Sequence, residues 1–233
     1  MMTNYFDSID KSLMLALNGL HNSFFDNFMP IVSDRFTWIP LYVALLVLVI
    51  VRFGWTRKTL VITLMVGVAV GLTDLMCAEL LRPMLMRPRP SNPDSGICAM
   101  IHTINGYRGG AFGMPSCHAG NSFALALMIG LLLRRRMLTV FMYAWAVLHV
   151  YSRIYLGVHY PGDLLAGLVI GSSVALVIYF LGRRFLQPHE AVPAKPVMVL
   201  IPVITGLSIL AIITTAALLS TNATLLAHLF AAP

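Results

Sequence analysis

Three short stretches hold most of the residues in this chain that could do chemistry: "RPMLMRPRP" at 82–90, "PSCH" at 115–118 and "SRIYLGVHYPGD" at 152–163. In the first, Arg82 and Arg89 are separated by six residues, and the intervening Pro83 and Pro88 oppose a continuous helix. Two guanidiniums arranged this way can converge as forked donors on one tetrahedral dianion. In the second, Ser116 suits a helix N-cap, and the free N–H groups that follow it, beginning with that of Cys117, form a natural anion site. His118 lies in the first turn beside them, positioned to give a proton to a group leaving the anion. An ordinary cap with an interfacial histidine would explain the same four residues. In the third, Pro161 fits a first helical turn, with His159 just before it and Asp163 just inside it. The four-residue spacing lets the carboxylate accept the imidazole N–H and leaves the other ring nitrogen free to act as nucleophile or base. A simple ion pair would account for Arg153 and Asp163 but not for a histidine at that spacing. Arg87 and Arg108, taken singly, are expected to face anionic headgroups.

Together, three arginines, a helix N-terminus, a hydroxyl and two histidines describe phosphoryl transfer that needs no metal or cofactor. Positive charge would stabilise the equatorial oxygens while one histidine attacks and the other protonates the leaving oxygen. The three cysteines, Cys77, Cys98 and Cys117, have neither CxxC nor metal-knuckle spacing, which argues against a structural metal.

The elements that must position these groups are membrane helices. Of 233 residues 58% are hydrophobic and only 11% charged, too few charges for a soluble domain of this length. The formal charge of +7 falls in short clusters between apolar runs rather than along one polar face, so nucleic acid is not expected as a partner. Six segments are apolar enough to span: 36–53, 60–81, 118–133, 137–156, 163–181 and 197–219. The third is short, which places its polar start within the membrane.

Residues 1–35 mix Leu, Met and Phe with regularly placed Asp, Asn and His, a pattern expected to lie on the membrane as an amphipathic segment. This N-terminus lacks the basic, early-apolar pattern of a signal peptide, and the first span is expected to target the chain. The expected class is therefore an all-α integral membrane protein, six transmembrane helices in a bundle with an N-terminal interfacial segment. Its parts are 1–35 at the interface, a five-span core at 36–181, and a linker with the sixth span at 182–233.

Basic clusters after the first, third and fifth spans put those loops in the cytoplasm, so all three chemical stretches reach the outer face. The loop at 82–117 breaks the charge rule, with Arg82, Arg87, Arg89 and Arg108 against Asp94 alone. Arginine kept there needs another reason. Asp74 and Glu79 are costly within the second span and are expected to turn inward, Glu79 toward Arg82 if the helix persists.

At this point the sequence resembles the type 2 phosphatidic acid phosphatase family, whose signatures read Lys-x6-Arg-Pro, Pro-Ser-Gly-His and Ser-Arg-x5-His-x3-Asp. Arg82-x6-Arg89-Pro90, Pro115-Ser116-Cys117-His118 and Ser152-Arg153-x5-His159-x3-Asp163 occur here in that order. The resemblance covers roughly 36–181 and implies His159 as a nucleophile forming phosphohistidine, Asp163 as its orienting partner and His118 as general acid. It further implies that Arg82, Arg89, Arg153, Ser116 and the Cys117 N–H hold the phosphate of a lipid substrate. Arg82 stands where the family has lysine, and Cys117 where it has glycine, adding a Cβ close to the anion. With both thiols expected outside, a Cys98–Cys117 disulfide is a further expectation.

The resulting expectation is a lipid phosphate phosphatase of the inner membrane acting at the outer face, with undecaprenyl diphosphate as first substrate. Phosphatidylglycerophosphate, phosphatidic acid and lipid A phosphatases, a phosphotransferase, and a non-catalytic lipid-phosphate binding or transport protein are the alternatives.

Overall fold

Each apolar run starts and stops where its flanking residues require. The computed structural model describes residues 2–186 and a few positions between 206 and 218. Two helices, α1 (Met2–Asn18) and α2 (Ser23–Ser33), precede the bundle, and Asn22 caps the second through a bond from Phe25 N to its Oδ1 at 3.0 Å. The bundle consists of α3 (Ile39–Phe53), α4 (Arg57–Leu75), α5 (Arg82–Leu85), α6 (Cys117–Leu133), α7 (Arg136–Tyr155) and α8 (Pro161–Gly182). Pro40 sits in the first turn of α3, Thr56 caps α4, Ser116 caps α6, and Arg134 in the left-handed region ends α6. Among the described residues there are no strands, only an isolated bridge between Pro88 and Phe112.

Among the described residues, four helices are long and apolar enough to cross a membrane: Arg35–Phe53, Arg57–Leu85, Arg136–Tyr155 and Pro161–Phe185. The shorter Cys117–Leu133 is the fifth apolar helix, in line with the expectation of a short third span. The sixth expected span, 197–219, lies largely outside the described residues. Between α4 and α5 the chain makes a π turn at Met76–Leu81, which shifts the helical phase immediately before Arg82.

Helix α6 occupies the centre, packed on α4, α7 and α8. Its contact with α8 is a backbone-to-backbone approach: a Cβ at Gly171 would lie 2.1 Å from Gly120 O, and one at Gly167 2.3 Å from Ser116 O. Small residues here let two membrane helices touch closely. That approach sets the N-terminus of α8 against the N-terminus of α6, where Ser116 N bonds Asp163 O at 3.0 Å. Asn18, at the end of α1, is 1% exposed and ties this helix to the end of α7 by bonds from Nδ2 to Ile154 O at 3.1 Å and Tyr155 O at 2.9 Å.

Candidate active site

The first turn of α8 and the loop before it hold the reactive pair. Gly157, with φ 74°, turns the chain out of α7, and Pro161 starts α8 with Asp163 in its first turn. Asp163 Oδ2 accepts the Tyr160 N–H at 3.0 Å, so the carboxylate is fixed by the helix it begins. His159 Nδ1 lies 3.5 Å from Asp163 Oδ2, in line with the spacing argument but longer than a hydrogen bond. His159 Nε2 receives Arg89 Nη1–H at 3.1 Å, and the same nitrogen of Arg89 donates to Val158 O at 3.0 Å. Since an arginine only donates, this contact assigns the ring proton to Nδ1 and the lone pair to Nε2.

Around that lone pair the structure gathers Arg82, Arg89 and Arg153. Arg89 and Arg153 are 7% and 6% exposed, while His159 and Asp163 are 1% and 0%. Arg82 Nη2 donates to Pro115 O at 3.0 Å and to Cys117 Sγ at 2.8 Å, and Arg153 Nη1 donates to Ser33 Oγ. Each of the three keeps a buried Nε–H without a protein partner. Burial, then the neighbouring Arg153 and Arg82, pushes Arg89 down to about 10. Burial, followed by the charges of Arg89, Arg153 and Arg82, holds His159 well below the ordinary histidine range, neutral and nucleophilic at neutral pH. Two buried arginines and the half-buried Arg82, each with an unused buried Nε–H, form a site suited to a multivalent anion.

Ser116 Oγ accepts Ala119 N–H at 3.4 Å, which caps the start of α6. His118 follows in that first turn, its ring centroid 5.5 Å from that of His149. His149, which sequence reasoning passed over, is buried, with Nδ1 2.8 Å from Ser122 Oγ and Nε2 3.4 Å from Ser33 O. Both histidines line a cavity of about 680 Å³ between α3, α4, α6 and α7. Its walls are mainly apolar, with Leu45, Val49, Ile62 and Ile129 along its depth.

Three expectations need correction. Arg87 does not face headgroups: its Nη1 pairs with Asp163 Oδ1 at 3.0 Å and Asp10 Oδ2 at 2.7 Å, and its Nη2 with Asp7 Oδ1 at 3.1 Å. Burial opposes its charge, but Asp163 and Asp10 hold it above the usual arginine range. Asp10 Oδ1 also accepts Gly162 N–H at 2.8 Å, so α1 reaches the base of the catalytic helix. Only the tertiary contact of α1 with α8 creates this, and no local pattern around Arg87 announced it.

The Cys98–Cys117 disulfide is not formed. All three cysteines are free; Cys98 Sγ donates to Ser91 O at 3.2 Å, whereas Cys117 faces Cys77 and Arg82 because the first turn of α6 points inward. Glu79 makes no ion pair with Arg82, because the π turn directs Arg82 at Pro115 and Cys117 instead. Asp74 reaches a polar group, accepting Asn121 Nδ2–H at 2.9 Å, but its side chain stays exposed on the cavity lining.

Gly113 is a further position that sequence reasoning missed. A Cβ there would lie 2.7 Å from Asp163 Oδ2, 3.3 Å from Arg89 Cγ and 3.5 Å from His159 Nδ1. Its N–H bonds Arg87 O at 2.9 Å, which holds the loop 111–113 beside the segment 87–89.

An apolar helical bundle carries this arginine and histidine cluster at one end, a layout suited to phosphoryl transfer at a membrane surface. The family model of the PAP2 superfamily matches residues 58–186, and the chain belongs to that superfamily. It is 40% identical over 197 residues to the lipid A 4'-phosphatase of Bacteroides thetaiotaomicron, covering 83% of this chain and 87% of that one. It is 32% identical over 179 residues to the undecaprenyl-diphosphatase BcrC of Bacillus subtilis, covering 76% and 84%. Its fold is similar to the crystal structure of a PAP2 type phosphatidylglycerolphosphate phosphatase from Bacillus subtilis, with TM-score 0.58 and 21% identity over 80% of this chain and 90% of that one.

Proposed function

We propose that this lipid phosphatase hydrolyses the phosphate monoester of an acylated sugar or polyol lipid at the outer face of the inner membrane, through a phosphohistidine. The observation that carries it is the trio of arginines, each with a buried and unused Nε–H, around the unprotonated Nε2 of His159. In the proposed reaction Arg82, Arg89 and Arg153, with Ser116 and the N–H of Cys117, hold the phosphate oxygens. His159 Nε2 attacks phosphorus as the P–O ester bond breaks, and His118 gives its proton to the leaving oxygen. Water then attacks the phosphohistidine while His118 takes a proton from it, releasing phosphate and restoring both rings. Asp163 holds the His159 ring and offsets the positive charge that develops on it. The apolar cavity beside His118 would accept an acyl chain while the headgroup stays at the cluster.

The sugar-lipid monoester is favoured by the 40% identity to a lipid A 4'-phosphatase over most of both chains. Undecaprenyl diphosphate is the second reading, supported by the 32% identity to BcrC. The test is phosphate release by purified protein from a panel of lipid phosphates, with His159→Ala and His118→Ala as controls. His159→Ala is expected to abolish turnover, and His118→Ala to lower kcat by about a hundredfold or more. Binding of lipid phosphates without release by the wild type, and equal binding by His159→Ala, would instead mean a non-catalytic protein.

A further inference from the structure

One polar pair in the membrane region has no part in the mechanism above. Asp74, in the last turn of α4, is an exposed acidic residue on a membrane helix, forms no ion pair among the described residues, and lines the cavity together with Cys117, His118 and Asn121. A carboxylate in such a place is costly unless something uses it. Its hydrogen-bond partner is Asn121 Nδ2, at 2.9 Å. A carboxylate beside an amide can only accept, so the amide is oriented with Nδ2 toward Asp74 and Oδ1 away. That Oδ1 is buried and has no partner among the described residues. The pair therefore offers two acceptors, Asp74 Oδ2 on an exposed side chain and the unpartnered Asn121 Oδ1 just beneath the cavity surface.

The position of this pair says which part of a substrate it would meet. Asn121 lies one turn after His118 on α6, and both line the same cavity. In the reaction proposed above, His118 serves the leaving oxygen, so the pair lies on the leaving-group side. Across the cavity wall α4 contributes Gly67 and Gly71, where an added Cβ would meet nothing within 4 Å, so the space next to Asp74 is open.

We propose that Asp74 and Asn121 form a subsite for the leaving group, accepting hydroxyl or amide N–H donors of a sugar- or polyol-type alcohol. The inference rests on the phosphatase reading and deepens it. A polyol or amino sugar brings donors that both oxygens can take. A polyprenyl diphosphate brings a second phosphate to this side, anionic and rich in acceptors, which faces an acidic residue and a carbonyl oxygen that cannot bond it. The subsite thus selects for hydroxyl-bearing monoesters and against diphosphates.

The test uses the full chain in phospholipid–detergent micelles and two substrates. One is an acylated glucosamine 4-phosphate with a free hydroxyl next to the phosphate, and the other is its analogue with that hydroxyl replaced by hydrogen. Wild type is expected to prefer the hydroxyl substrate by about ten- to a hundredfold in kcat/KM, and Asp74→Ala and Asn121→Ala to bring that ratio to about one. Because the ratio is taken within one preparation, a lower fraction of folded protein cancels. Should either alanine variant be inactive on both substrates, Asp74→Asn, which keeps the shape and removes the charge, is read by the same ratio. Equal rates on both substrates by wild type, or a wild-type ratio in the variants, overturns the subsite. Failure of wild type to release phosphate from these and every other lipid phosphate overturns the phosphatase reading instead.

Discussion

Replacing Gly113 by alanine adds one methyl group to the most crowded point of the site. Gly113 is not among the residues of positive φ, so the backbone accepts alanine and the effect is one of contact alone. The new Cβ would stand 2.7 Å from Asp163 Oδ2, about 0.7 Å short of the 3.4 Å at which ordinary contact begins. Asp163 cannot yield cheaply, because Oδ2 holds Tyr160 N–H at 3.0 Å and Oδ1 holds Arg87 at 3.0 Å. The displacement must therefore pass to His159, 3.5 Å from the same Cβ, or to Arg89, whose Cγ is 3.3 Å away. A misplacement of about 1 Å costs roughly a hundredfold, so Gly113→Ala is expected to lower kcat by about ten- to a hundredfold. KM should stay within about threefold, since Arg82 and Arg153 are untouched. The assay is steady-state phosphate release, with thermal unfolding and gel filtration to show that the fold persists. A folded Gly113→Ala enzyme with kcat within about twofold of wild type would refute the reasoning.

Arg87→Lys should lower kcat by about tenfold, because an ammonium cannot span the three carboxylates that the guanidinium joins, and Asp10→Asn should have a smaller effect in the same direction; wild-type kcat for both would remove α1 from the site. The acid limb of kcat/KM should fall below the ordinary histidine range, since burial and then Arg89 hold His159 low and the neutral ring is the active form. Arg89→Gln removes one of those charges, raises the His159 pKa and moves the limb to higher pH, so an unmoved or lowered limb in the pH–rate profile contradicts the account. Cys117→Gly should keep kcat within about threefold, because the backbone N–H proposed to hold the phosphate is retained. Non-reducing peptide mapping should find Cys98 and Cys117 unlinked, and a linked peptide would contradict the free thiols seen here.

Much of this protein can be read along the chain. The apolar runs locate the first five membrane helices to within a few residues, because lipid leaves the backbone no alternative to a helix and the caps and prolines mark its ends. The spacing of His159 and Asp163 is likewise local, one helical turn across the start of α8; the segment between Arg82 and Arg89 is indeed not one helix, but the helix runs through Pro83 and ends at left-handed Met86, ahead of Pro88. What lies across helices could not be read this way. That Arg87 serves Asp163 depends on α1 docking against α8, and that Cys117 meets Cys77 rather than Cys98 depends on the direction in which α6 begins. Gly113 and the Asp74–Asn121 pair acquire their meaning in the same way, from neighbours distant in sequence. Helix periods, caps and charge clusters are short-range properties that a sequence records directly. Which buried donor lacks a partner, and how much room a methyl group would have, is decided only when the helices pack.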